Sequence, residues 1–153
     1  MDPAIFKHRI KLRVRNYEVD WQGIVHNANY LLYFETARIE YLKNLGVKVD
    51  INSIQHDSKV VLVRNEINYL SPVRFDDELE IFTRISYIKN TSFAFESFME
   101  KSSNGQRMAE NIAVHVWLNP KTDEPTRVSD EFRKAVLQFE GNSLTLFDKT
   151  SLA

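Results

Sequence analysis

Residues 28–45 have the spacing of a long helix. The first turns read YLLYF, which is apolar on nearly every side, so this helix must be covered from several directions. Gly46 follows where helices often end in a left-handed residue, and Asn27 precedes the segment as the predicted N-cap. The predicted helix is about 27 Å long. A single sheet covers only one side of such a helix, which favours an oligomer.

Strands are predicted on both sides of this helix. In residues 7–15, Ile10, Leu12 and Val14 share one face and basic side chains share the other, which is the alternation of a half-buried strand. We interpret the basic face as a solvated face that discourages the addition of another strand. Further apolar runs or alternating patterns predict strands over residues 60–69, 79–87, 93–99 and 108–118.

Turn and cap residues divide the second half of the chain. Asn104 and Gly105 predict a type I′ hairpin turn between the last two strands. Ser129 is positioned to cap a short helix that ends before Gly141. The order of elements predicts an α+β fold in one domain, residues 1–141: a five-stranded antiparallel sheet with the long helix across one face and a short C-terminal helix. Residues 142–153 form a tail with no clear pattern.

Composition excludes several classes of function. The chain has 153 residues and no cysteine, which excludes thiolate catalysis and cysteine-ligated zinc. Its net charge of −1 gives no general attraction to nucleic acid or anionic membranes. The sequence contains no signal-peptide pattern and no apolar run long enough to span a membrane, so we expect a cytoplasmic protein without a membrane span. It also lacks metal-binding and nucleotide-binding motifs, so we expect no metal and no nucleic-acid partner.

The loop before the long helix is the best candidate for a catalytic site. Asp20 lies seven residues before Asn27, at the predicted helix start. Helix N-termini carry unpaired N–H groups that can hold a carbonyl oxygen as it gains negative charge. A nearby carboxylate can attack that carbonyl or deprotonate water, so the parts suit acyl transfer. From these residues alone, a turn role for Asp20 and a simple capping role for Asn27 are open alternatives.

Two motifs carry a resemblance to a known family. The first is D-x-x-G-I-V-H-N-A-N-Y followed by Y-F-E-x-A-R, over residues 20–38, and the second is Y-x-x-P-x-x-x-D-D, over residues 69–77. Together they resemble the 4-hydroxybenzoyl-CoA thioesterase family, including its YbgC-like acyl-CoA thioesterases. The resemblance implies the hotdog fold, in which a sheet wraps around a long central helix. It also implies a homodimer or homotetramer with sites between subunits.

The resemblance assigns roles to individual residues. Asp20 matches the catalytic carboxylate, as nucleophile or general base, and Asn27 matches the backbone N–H that polarises the thioester carbonyl. Asn27 could also act through its side chain. Gly23 matches the glycine that turns the loop beneath this carbonyl, and His26 and Tyr30 are expected to contact the substrate. Tyr17 and His26 each lie one position away from an additional Tyr and His found in some relatives.

Further expectations concern residues outside the loop. Lys89, Asn90 and Thr91 form a predicted turn where the family often contacts the coenzyme's phosphates; a solvated hairpin turn is the alternative. Glu35 and Arg38 lie three residues apart, and we expect a structural ion pair, with Glu35 as a second catalytic carboxylate as the alternative. Trp21 either lines the acyl pocket or packs against the sheet.

The function implied by the resemblance is hydrolysis of an acyl-CoA thioester to free acid and CoA. Coenzyme A is part of the substrate, and no cofactor is expected. Two alternatives stay open: a thioesterase acting on acyl-carrier protein, and a non-catalytic hotdog dimer that binds acyl chains.

Overall fold

The computed structural model of the protein describes residues 1–47 and 59–147. The helices and strands follow in this chain order: β1 (His8–Arg13), α1 (Asn27–Asn44), β2 (Lys59–Tyr69), β3 (Glu78–Ile88), β4 (Ser92–Lys101), β5 (Arg107–Leu118), α2 (Asp130–Glu140) and β6 (Thr145–Leu146). No helix within the described residues is long and apolar enough to cross a membrane.

The strands form one mostly antiparallel sheet in the order β1-β3-β4-β5-β2. The five predicted strands are therefore confirmed. Thr145 and Leu146, in the tail where the sequence shows no clear pattern, add a short sixth strand parallel to the end of β3. Residues 148–153 of the predicted tail lie outside the described residues.

The helix α1 packs on the sheet through its buried side chains, which contact β1 and β3 among other elements. These buried residues are Tyr30, Tyr33, Phe34, Ala37, Arg38 and Tyr41. Leu31 and Leu32 stay exposed on α1, as expected for a helix that is apolar on several sides. The first turns of α1 therefore present apolar surface that the sheet of one chain does not cover.

Two local predictions need correction. The N-cap of α1 is His26, whose Nδ1 accepts a hydrogen bond from the Ala28 N–H at 3.2 Å, and Asn27 is the first helical residue. The turn at Asn104 and Gly105 is not type I′, because only Gly105 has a positive φ and type I′ requires two such residues. The chain nevertheless reverses there, in a longer loop that Gly105 closes by donating to the Lys101 carbonyl.

Two other predictions are confirmed. Ser129 caps α2 by accepting a hydrogen bond from the Phe132 N–H at 3.1 Å, and Gly141 follows the helix at φ +64°. The basic residues of β1 are exposed and pair with carboxylates of the neighbouring strand β3, as in the Arg13–Glu78 pair at 2.9 Å. The basic face is thus a solvated, charge-balanced face.

Candidate active site

The Asp20 loop is a tight turn closed by its own hydrogen bonds. Val19 and Val25 pair across its base, and the Asp20 N–H donates to the Ile24 carbonyl at 2.9 Å. The carboxylate oxygen Oδ1 accepts from the N–H groups of Gln22 (2.8 Å) and Ile24 (3.3 Å). The other oxygen, Oδ2, accepts no hydrogen bond from the described residues, and Asp20 is exposed. The hydrogen bonds to Oδ1 therefore orient the Asp20 side chain, and Oδ2 is left open to solvent or a ligand.

Gly23 has the left-handed backbone that the turn needs. Its φ is +78°, and a Cβ there would meet nothing within 4 Å, so the requirement comes from the backbone conformation and not from crowding. The Gly23 carbonyl accepts from the Phe75 N–H at 3.2 Å, and Ile24 forms a bridge with Arg74. The second sequence motif, residues 69–77, thus packs directly against the first.

Glu18 ties the loop to the start of α1. Its carbonyl accepts from the His26 N–H at 3.0 Å and from Asn29 Nδ2 at 2.7 Å. Its buried carboxylate accepts from the backbone N–H and the guanidinium of Arg15, both at 2.8 Å. Sequence analysis missed this residue, although the three-residue spacing between Arg15 and Glu18 was the available signal.

The helix start leaves one N–H group free. The Ala28 N–H is taken by the His26 side chain and the Asn29 N–H by the His26 carbonyl. The Asn27 N–H finds no acceptor among the described residues, because its position in the first turn has no intrahelical partner. Asn27 is exposed, so this N–H is available to a ligand carbonyl. Since His26 Nδ1 caps the helix, only its Nε2 is left for the predicted substrate contact.

Tyr30 lies beneath this helix start. Its hydroxyl oxygen accepts a hydrogen bond from the Val73 N–H at 3.1 Å, and its ring contacts Tyr69 edge to face at 5.0 Å. A groove of about 260 Å³ lies over these residues, lined by Ile24, Val25, Asn27, Tyr30, Tyr69, Leu70, Ser71 and Pro72. Tyr30 thus holds the strand junction and forms part of a wall beside Asn27.

The turn of Lys89, Asn90 and Thr91 lies at the other end of the sheet. It follows the last residue of β3, whereas the Asp20 loop packs near the first, and an 11-residue strand is about 36 Å long. The carbonyls of Lys89 and Asn90 accept from Arg133, and the Thr91 carbonyl accepts from the Trp117 N–H. Within one chain these residues do not join the Asp20 site, and the predicted phosphate contact stays a prediction.

One expectation about side chains near the loop is wrong, and one of the two alternatives for Trp21 is excluded. Glu35 and Arg38 form no ion pair; Arg38 is buried and donates to Asn111 Oδ1 at 3.0 Å, while Glu35 is exposed. Trp21 is 91% exposed, so it does not pack against the sheet. In the described part of the chain, no cluster of histidine and carboxylate side chains is arranged to hold a metal ion.

A second groove runs along α1, which we call the α1 groove. Its volume is about 480 Å³, and its walls come from α1, the sheet and α2, with lining residues Leu31, Glu35, Arg38, Ile39, Leu42, Val47, Val60, Leu62, Asn65, Phe93, Phe95, His115, Trp117 and Phe132. The His115 ring stacks on Phe93 at 5.4 Å. Burial, followed by the charge of Arg38, lowers the pKa of His115 to about 4, so the ring is neutral at pH 7.

Stability should therefore fall between pH 6.5 and about 4 because of His115. In this range the unfolded chain binds a proton at this histidine and the folded chain does not, so acid favours unfolding. We expect His115→Phe, which keeps a ring against Phe93, to remove about 3 kcal/mol of this pH dependence. Urea unfolding of both proteins across this range measures it. Parallel pH profiles for the two proteins would contradict the assignment.

The chain is similar in sequence to known thioesterases. A sequence profile described as the Thioesterase-like superfamily matches residues 14–136. The chain belongs to this superfamily. It is 32% identical over 134 residues to the acyl-acyl carrier protein thioesterase ATL2 of Arabidopsis thaliana, covering 87% of this chain and 70% of that protein. It is 30% identical over 104 residues to the acyl-CoA thioester hydrolase YbgC of Escherichia coli, covering 68% of this chain and 75% of that protein.

A solved structure of this superfamily also superposes well. The Thermus thermophilus thioesterase complexed with coenzyme A and Zn has a TM-score of 0.77 at 29% identity, covering 90% of this chain and 96% of that one. The predicted resemblance to hotdog thioesterases is therefore confirmed, together with a mostly antiparallel sheet and its helix. That the sheet wraps around a central helix stays a prediction.

Proposed function

We propose that the protein hydrolyses acyl-CoA thioesters to a free acid and CoA. The observation that carries this proposal is the unpartnered Asn27 N–H at the start of α1, beside a loop that presents one free oxygen of Asp20. The acyl-CoA thioester hydrolase YbgC among the relatives supports the choice of substrate.

In the proposed reaction, the Asn27 N–H and the helix dipole bind the thioester carbonyl oxygen. Asp20 then acts in one of two ways. As a general base it takes a proton from water, whose oxygen attacks the carbonyl carbon. As a nucleophile it attacks this carbon itself, and water hydrolyses the resulting anhydride. In both cases the C–S bond breaks and CoA leaves as a thiolate that takes up a proton. Coenzyme A belongs to the substrate in this proposal, and that the reaction needs no cofactor stays a prediction.

A thioesterase acting on acyl-carrier protein is the second candidate. The relatives ATL2 and ATL3 of Arabidopsis thaliana bear this activity in their names. The basic residues of β1 do not form a free patch for an acidic carrier, because Arg9, Lys11 and Arg13 each pair with carboxylates. The β1 face therefore gives no support to a carrier protein as the substrate.

The experiment that tests the proposal is thiol release from acyl-CoAs of several chain lengths and from the matching acyl-carrier proteins. We expect kcat/KM to be higher with acyl-CoA. Faster cleavage of acyl-carrier protein would favour the second candidate. Binding of acyl-CoA without cleavage would instead indicate a non-catalytic acyl-binding protein. The cytoplasmic location stays a prediction.

We also propose that the protein forms a homodimer through the open edge of β2. This strand lies at one end of the sheet and exposes Val60, Leu62 and Val63. Leu32 of α1 is exposed as well, and unpaired strand edges with apolar side chains favour pairing with a second chain. Sedimentation at micromolar concentration should give a dimer or tetramer, and Val63→Lys should shift it toward the monomer. A monomeric wild type would contradict this proposal.

A further inference from the structure

The α1 groove has a few polar groups, one of them a buried arginine, in a largely apolar lining. Phe93, Phe95, Trp117 and aliphatic side chains form most of its walls, whereas Arg38 contributes a cation. Arg38 is only 6% exposed. A buried guanidinium is costly unless it is paired with an anion or fully hydrogen-bonded. The reaction proposed at Asp20 and Asn27 gives Arg38 no role.

Arg38 has donors that the protein leaves unused. Its Nη1 donates to Asn111 Oδ1 at 3.0 Å, and none of the described residues forms an ion pair with it. Asn111 is held in turn by Asn65 Oδ1 (2.6 Å) and the Glu66 carbonyl (2.9 Å), which fixes its amide. A guanidinium has five N–H donors. The remaining donors have no partner among the described residues, and because Arg38 lines the groove they can bind an acceptor that enters there.

The groove is in line with the start of α1. One face of the helix carries four residues spaced by four, four and three positions: Asn27, Leu31, Glu35 and Arg38. Arg38 lies eleven residues beyond Asn27, which is about 16 Å along the helix axis. An extended chain whose thioester carbonyl is at Asn27 therefore enters the groove at Leu31 and passes Arg38 in its distal part.

The charges of the groove favour a neutral oxygen over a carboxylate. Glu35 lines the same groove and is exposed, so it repels an anionic group that approaches Arg38. His115 is neutral at pH 7 and adds no positive charge. Arg38 and Glu35 together leave the α1 groove without net charge, and the rest of its lining is mostly apolar. Such a groove suits an uncharged carbon chain that carries one hydrogen-bonding oxygen.

We propose that the α1 groove binds the acyl chain and that Arg38 donates a hydrogen bond to a hydroxyl or keto oxygen in the distal part of this chain. The preferred substrates are then long-chain acyl thioesters oxygenated far from the thioester, and Arg38 is a specificity-determining residue. This inference rests on the proposed thioesterase function.

The test is a panel of acyl-CoAs of one chain length, in which a hydroxyl group is moved stepwise from the thioester to the far end. Wild-type kcat/KM should peak for a hydroxyl group in the distal half, about 10–100-fold above the plain chain, as expected for one hydrogen bond to a charged group. Equal rates at every position, or a peak next to the thioester, would overturn the inference and leave the thioesterase function standing. If no thioester is cleaved, the proposed function itself fails.

A variant pair links the preference to Arg38. Arg38→Met keeps the length of the side chain and removes the donors, so the ratio of kcat/KM between the distal-hydroxyl chain and the plain chain should fall to about one. Arg64→Met, on an exposed arginine of β2 paired with Glu66, is the matched control and should keep the preference. A distal preference that persists in folded Arg38→Met would overturn the role of this residue. If Arg38→Met does not fold, the wild-type panel decides.

Discussion

Replacing Asp20 with asparagine is expected to lower kcat for acyl-CoA hydrolysis by about 10²–10⁴-fold if Asp20 is a general base, and by more if it is the nucleophile. The asparagine oxygen can still accept from the Gln22 and Ile24 N–H groups, so the loop should keep its shape. KM should change little, because the variant removes a charge and not a wall of the binding groove. Steady-state thiol release measures both constants.

Asp76→Asn is the matched control for this variant. Asp76 is also an exposed aspartate, and its φ of +68° is one that asparagine tolerates. We expect it to keep wild-type activity. Near-full activity in Asp20→Asn would show that the assignment is wrong. Mass spectrometry of a quenched single turnover separates the two roles, because only the nucleophile mechanism leaves the acyl group on Asp20.

Replacing Asn27 with proline should remove the oxyanion donor and keep the fold. Asn27 is the first residue of α1, where proline is favoured and its missing N–H breaks no helical hydrogen bond. His26 before it is extended, at φ −63° and ψ 138°, which is the conformation that a following proline requires. Loss of one oxyanion donor is expected to lower kcat by about 10²–10³-fold.

Asn27→Ala separates the backbone from the side chain. It keeps the N–H, and because His26 is the cap, it should cost little stability as well as little turnover. Thermal melting of both variants beside kinetics checks the prediction. Equal, large losses of activity in both variants would indicate that the asparagine side chain binds the carbonyl. A fully active proline variant would exclude the helix start from the mechanism.

The elements with strong periodicity could be predicted from the sequence. The helix α1, the long strands and the Ser129 cap of α2 depend on side chains close together in sequence, and their bounds differ by one or two residues from those observed. The loop at residues 20–27 could be located because a carboxylate, a glycine and a helix start occur within eight residues.

Other features depended on contacts that local sequence does not encode. The three-residue spacing of Glu35 and Arg38 predicts a short-range ion pair, whereas Arg38 bonds to Asn111, 73 residues away. Helix-capping preference predicts an asparagine cap for α1, whereas the Glu18 carbonyl holds the His26 backbone and the His26 ring caps the helix. The separation of the Lys89 turn from the Asp20 loop follows from sheet topology, which spacing along the chain does not show.

The most direct test of the proposed site is kcat for acyl-CoA hydrolysis in the wild type, Asp20→Asn, Asn27→Pro and the double variant. If both groups act on the same transition state, each single variant is strongly impaired and the double variant is no more active than the weaker single variant. Wild-type rates in either single variant would contradict a site built from the Asp20 loop and the start of α1.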